Sequence, residues 1–186
     1  MVYGLFSGGA GFLALFIHDL LQLQSRPFLT SLSSFIGYAG VFLGVFIQIF
    51  LFHPPLRLSW VLALQLFALT ASLGLLLYSV FFEIRRFEAK RGGRSVTVRG
   101  RTALTTGTYG VVRHPGFLWF VLLQLSIIWL CGRREVLVMA AAFSLMDFVL
   151  VYAEDRCVFP KIFSNYRSYK ARVPMIIPIP RGERDV

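Results

Sequence analysis

From Ser59 to Phe82 the chain runs for 24 residues without a charged side chain. Wound as a helix at 1.5 Å per residue, such a stretch is about 36 Å long, enough to cross the roughly 30 Å hydrocarbon layer of a bilayer. Four further stretches have the same character. Tyr3 to Leu23 is apolar until His18 and Asp19. Phe35 to Phe52 is apolar except for Gln48. Pro115 to Gly132 carries no charge, and Val136 to Ala153 carries one acid, Asp147. The fourth stretch works as a span if Pro115 opens the helix, where its missing amide N–H costs nothing. Arg133 and Arg134 then mark a tight turn into the fifth. Composition agrees: 56% of residues are hydrophobic and 15% charged, and 19 are Phe, more than a small water-soluble core hides. The expected fold is an all-α integral membrane protein, a single domain over residues 1–186 with about five transmembrane helices. Three spans occupy residues 1–82; a polar loop, a helical hairpin and a tail occupy 83–186. The first stretch has neither a basic leading region nor a small-residue cleavage site, so it is expected to be retained as a span.

The cations orient these spans. Eight lie between Glu83 and His114, seven follow Ala153, and Arg26 lies in the first loop; only Arg57, Arg133 and Arg134 fall on the other side of a five-span arrangement. The positive-inside rule therefore places the N-terminus outside and the C-terminus in the cytoplasm. The net charge of +10 suits an anionic membrane surface, and with this hydrophobicity it does not suggest a nucleic acid. Gly37, Gly40 and Gly44 on the second span are expected to let another helix approach closely. Cys131 and Cys157 form neither a disulfide framework nor a metal-ligand spacing, and no metal site is expected.

The polar segments carry the chemistry. Glu83, Arg85, Arg86, Glu88, Lys90 and Arg91 are expected to extend the third helix into water, with Gly92 and Gly93 breaking it. Ser95 to Val98 reads as a short extended piece and Leu104 to Gly110 as a turn-rich run. Arg113-His114-Pro115 follows, and the residue before a proline resists helix, so the block marks the entry to the fourth span. Asp147 lies inside an apolar window, where an acid is costly and by default a functional candidate. Glu154 is seven residues further on, hence on nearly the same helix face. Tyr166 and Tyr169 share one face of a short helix and read as interfacial anchors among cations; Pro174, Pro178 and Pro180 end it. An acidic, aromatic, His-containing cluster would thus form at the cytoplasmic ends of spans four and five. A cavity there could take a polar cofactor from water and an apolar substrate from the lipid.

Three blocks in this order carry a resemblance: Leu104-Thr-Thr-Gly-Thr-Tyr-Gly-Val-Val-Arg-His-Pro-Gly-Phe117 before a hydrophobic hairpin, Glu154-Asp155 after it, and Tyr166-Arg-Ser-Tyr-Lys-Ala-Arg-Val-Pro174. Over roughly Arg101 to Pro178 the chain resembles the isoprenylcysteine carboxyl methyltransferase family, integral membrane enzymes dependent on S-adenosyl-L-methionine, to which the phospholipid methyltransferases look related. The resemblance implies a cytoplasmic cofactor-binding cap and methyl transfer to a lipophilic small molecule or lipidated substrate within the membrane lipids. It implies cofactor contacts from Arg101, Thr102, Ala103, Leu104, Tyr109, His114, Pro115, Gly116, Phe117 and Glu154. An acid such as Glu154 suits the cofactor's amino group or ribose, and backbone groups of Gly107 to Gly110 suit its carboxylate. His114 or Asp147 would serve as a catalytic base if the acceptor were an amine. Two positions depart from the family. Phe117 stands where Tyr is usual, and Leu150 stands where the prenylcysteine enzymes carry an arginine, which leaves the acceptor open. Membrane sterol reductases share a similar end, with an Arg-His-Pro block, an acid before a Cys and a Val-Pro. They use NADPH and are about twice as long. The departures also fit a non-enzymatic lipid-binding or scaffold protein; binding of the cofactor separates the three readings.

Overall fold

The computed structural model describes residues 1–24, 26–53, 58–90 and 101–178, with only the backbone of 88–90. Every regular element among them is helical, and the one β-type contact is a single bridge between Arg101 and Phe163. The expected break at Gly92 and Gly93, the extended piece at Ser95 to Val98, and Arg91 and Pro180 lie outside the described residues. Four helical runs are long and apolar enough to cross a membrane: Val2–Leu23, Pro27–Phe52, Trp60–Phe87 and Arg134–Ile162. The fifth apolar helix, Pro115–Cys131, has 17 residues, at the lower limit for a span.

The long helices follow from the sequence with instructive differences. Helix α1 (Val2–Leu23) matches its window. Helix α2 (Pro27–Phe52) begins eight residues before its apolar window, because Pro27 can open a helix and the hydroxyls of Thr30 and Ser33 bond back to Arg26 O and Thr30 O. The Ser59 side chain caps α3 (Trp60–Leu77) by accepting from Leu62 N–H at 3.1 Å. A π-helical turn, Tyr78–Glu83, then leads into α4 (Ile84–Lys90). The third helix does extend as expected, but Glu83 is 8% exposed rather than in water. A one-turn helix, α5 (Thr108–Val111), precedes α6 (Pro115–Cys131), which Pro115 does open. Gly132, at φ 61°, closes α6 by donating to Ile128 O and turns the chain into α7 (Arg134–Ala153). A second π-helical turn (Glu154–Val158), α8 (Phe159–Ile162) and α9 (Tyr166–Arg172) complete the described residues' elements.

Helix α7 packs on both α1 and α6, while α2 lies along α1 and α3 along α6. Phe12 and Leu15 of α1, Phe120, Leu123 and Ile127 of α6, and Val136, Met139 and Phe143 of α7 share one apolar core. The tightest seam is between α1 and α2. A Cβ on Gly40 would sit 2.8 Å from the Gly11 Cα, and one on Gly44 would sit 3.0 Å from the Gly8 Cα, so the two backbones touch. The close packing expected of Gly37, Gly40 and Gly44 is therefore met by a matching set on α1. Side-chain amides stitch other helices: Gln48 donates to Val136 O at 3.1 Å, and Gln65 donates to Trp129 O at 2.9 Å. Only Ser72 of α3 is buried, and its outer face displays Leu64, Leu66, Phe67 and Leu75. So large an apolar surface is a liability in water and matches a hydrocarbon solvent. The surplus of Phe is resolved the same way: Phe35, Phe46, Phe50 and Phe67 are all exposed. Both thiols are free, Cys131 buried and Cys157 exposed.

Candidate functional site

The polar residues gather at one end of the bundle, where α1, α3 and α7 finish and α6 begins. Asp155, in the π turn after α7, is the hub. Its Oδ1 lies 2.9 Å from Arg113 Nε and accepts from Tyr166 OH at 2.6 Å; its Oδ2 lies 2.7 Å from Lys170 Nζ. The Arg113 and Asp155 side chains are 5% and 2% exposed. A buried charge needs this many partners, because each lost water must be replaced. The Arg113 guanidinium also donates to Lys170 O and Val173 O.

The tail is strapped over the Arg-His-Pro turn. Arg113 N–H donates to Pro174 O at 2.9 Å and His114 N–H to Met175 O at 3.1 Å. Tyr169 OH donates to Tyr109 O at 2.7 Å, Ser164 N–H to Arg101 O at 2.8 Å, and Ala103 N–H to Asn165 Oδ1 at 2.7 Å. Tyr166 and Tyr169 do share a face of α9, with ring centroids 5.9 Å apart. They are not interfacial anchors, however: they are 2% and 3% exposed, packed with Ala103 and Val173. Their polar ends turn inward because Asp155 and the Tyr109 carbonyl offer them acceptors. Burial and Asp155 together hold the Tyr166 phenol above its ordinary pKa; burial does the same for Tyr169.

His114 sits between the two acids, Nδ1 3.5 Å from Glu154 and Nε2 3.7 Å from Asp155, its ring stacked on Phe159 at 5.6 Å. Burial lowers its pKa, and the neighbouring Asp155 carboxylate only partly restores it. The ring is therefore neutral at pH 7. A neutral imidazole has one N–H and can donate to only one of these acids at a time. Asp147 does not join His114. It belongs with Asp19 of α1, Tyr38 of α2 and Glu154, which are electrostatic neighbours.

A second latch fixes the turn-rich loop. Buried Glu83 accepts from both the N–H and the hydroxyl of Thr108, while Tyr109 OH donates to Ser79 O at 3.3 Å. Burial raises the Tyr109 phenol pKa, and Glu154 and Glu83 raise it further. Gly107 adopts φ 62°, and a Cβ there would collide with the Glu83 carboxylate. Gly107→Ala is therefore expected to cost about 1–3 kcal/mol, from backbone strain and the displaced carboxylate. Thermal melting in detergent reads this directly, and an unchanged midpoint would show that the latch is not formed. Two amides of this loop have partners already, Thr108 N–H at Glu83 and Gly110 N–H at Gly107 O.

The other expected contact residues divide. Arg101 is exposed and Leu104 half-buried. Thr102 Oγ1 is buried without a hydrogen-bond partner among the described residues, as is His114 Nε2. Pro115 is buried, Gly116 faces Val80, and Phe117 packs its ring 5.9 Å from Phe148. Leu150 is 8% exposed in the apolar core, so that position offers no charge. Sequence reasoning missed Asp19, Glu83, Arg113, Asn165, Lys170 and the hub role of Asp155. Asp19 carried the signal that singled out Asp147, an acid inside an apolar window; the others are ordinary surface residues until the tail folds back. No protein-family model, curated protein or solved structure matches this chain significantly.

Proposed function

We propose that this chain is a multi-pass membrane methyltransferase that transfers a methyl group from S-adenosylmethionine to a lipophilic acceptor at the cytoplasmic membrane surface. On this reading α6 is a fifth span, the N-terminus lies outside and the C-terminus in the cytoplasm. The observation that carries the reading is the meeting of three separate sequence blocks: His114 lies 3.5 Å from Glu154 under a strap formed by the tail. The residues fit the cofactor chemically. Glu154 has no Lys or Arg partner among the described residues, so it can receive an amino group or a ribose diol. The Thr102 hydroxyl, which has no hydrogen-bond partner among the described residues, supplies a further polar contact. When bound, the cofactor supplies a methyl group on a sulfonium sulfur, which leaves as a neutral thioether.

The work left to the chain is alignment and exclusion of water. The Glu83 latch and the strap fix the loop backbone on either side of His114. Neutral His114 can accept a proton, and a carboxylate or thiolate acceptor would not require it. Calorimetry on purified protein in detergent tests the reading. S-adenosylmethionine and S-adenosylhomocysteine are expected to bind in the micromolar range, and Glu154→Ala is expected to weaken both by at least about tenfold, the worth of one hydrogen bond to a charged group. Unchanged affinity in that variant would sink the assignment of Glu154.

A further inference from the structure

Asp19 is the polar group that the assigned site does not use. It lies in the last turns of α1, inside an apolar run, yet it is 3% exposed and its Oδ2 has no hydrogen-bond partner among the described residues. An unsatisfied carboxyl at such depth is costly and calls for a ligand. The carboxyl lies beside that of Glu154, across the contact between α1 and the π turn. The charges nearby are lopsided. Asp155 is matched by Arg113 and Lys170, whereas among the described residues no Lys or Arg pairs with Asp19, Asp147 or Glu154. The phenols of Tyr38 and Tyr109 are electrostatic neighbours of Glu154. Two neighbouring buried carboxyls that no described Lys or Arg pairs with form a receptor for a small positive group.

Resting on the methyltransferase reading, we propose that Asp19 holds the cationic sulfonium of S-adenosylmethionine while the neighbouring Glu154 takes its amino group or ribose, so that the first span contributes to the cofactor site. The sulfonium charge disappears once the methyl group has gone. Asp19 therefore holds the charged donor more tightly than the neutral thioether product and favours release of the latter.

The test is the ratio of the two affinities, measured by calorimetry on wild type and Asp19→Asn in detergent, with Asp19→Ser as a second variant should Asn not fold. A partly unfolded sample lowers the binding-competent fraction for both ligands and leaves the ratio alone. Wild type is expected to bind S-adenosylmethionine more tightly than S-adenosylhomocysteine. Asp19→Asn is expected to weaken S-adenosylmethionine by about tenfold or more, with little effect on S-adenosylhomocysteine, as befits loss of one charged contact. Equal weakening of both ligands, or no change in either, overturns this inference alone. Failure of wild type to bind either ligand overturns the methyltransferase reading and the inference with it.

Discussion

Asp155→Ala is expected to destabilise the protein by about 3–5 kcal/mol, the cost of leaving a buried charge without its partner. The charge left behind is Arg113, whose side chain is 5% exposed. Lys170, 38% exposed, recovers water contacts and contributes little to the loss. Denaturation of the detergent-solubilised protein measures this, and a fall below about 1 kcal/mol would show that the hub is not the source of stability. A double-mutant cycle sharpens the result. Asp155→Leu combined with Arg113→Met removes both charges, and it should be less harmful than either change alone. Because Arg113 also holds the Lys170 and Val173 carbonyls, the single Asp155 variant should release the tail strap and expose the Arg-His-Pro turn.

Gly40→Ile should be comparably damaging for a different reason. The nearest obstacles to a new Cβ at Gly40 are the Gly11 Cα at 2.8 Å and the Gly11 N at 3.1 Å, and backbone cannot rotate aside as a side chain does. Overpacking that side chains can absorb costs about 1–3 kcal/mol; here the whole seam must open, and a loss of at least about 3 kcal/mol is expected. Gly74→Ala is the internal control. A Cβ there meets nothing within 4 Å, so the exchange should be neutral or stabilise by up to about 1 kcal/mol through helix propensity. Equal melting midpoints for the two variants would show that α1 and α2 are not in backbone contact.

How much of this was legible in the sequence depended on the range of the forces involved. The apolar helices were plain, because hydrocarbon thickness imposes a length on each stretch, and Pro115 and Gly132 bounded α6 by local backbone rules. The early start of α2 at Pro27 was hidden because that segment mixes Ser and Thr with its apolar residues, and what opens the helix there is the backbone of Pro27. Glycine pairing was half visible: Gly37, Gly40 and Gly44 showed that α2 accepts a close neighbour, but only the fold reveals that the neighbour is α1. In the site, Arg-His-Pro and Glu154 stood out as blocks. Tyr166 and Tyr169 were misread because tyrosines beside cations look interfacial until a buried carboxylate and a free carbonyl are known to await their hydroxyls. Glu83 was misread similarly, since its acceptor role depends on Gly107 and Thr108, more than twenty residues away.

The unequal lengths of the hairpin helices have a consequence for a lipid acceptor. Helices α6 and α7 are joined by a turn of two residues, Gly132 and Arg133, yet one is a 17-residue helix and the other a run of 29 residues to Ile162. The longer one exceeds its neighbour by about 18 Å at 1.5 Å per residue, and the Arg-His-Pro turn and the tail pack beside that extra length. Glu154 and His114 stand where it begins, 3.5 Å apart. On the reading proposed above, an acyl or prenyl chain can remain dissolved in the bilayer beside the shorter helix while its polar end reaches them sideways. Extracting a sixteen-carbon chain into water would instead cost on the order of 12 kcal/mol, at about 0.8 kcal/mol per methylene. Lateral entry along a truncated helix avoids that cost, and it lets the chemistry occur where the lipid already resides.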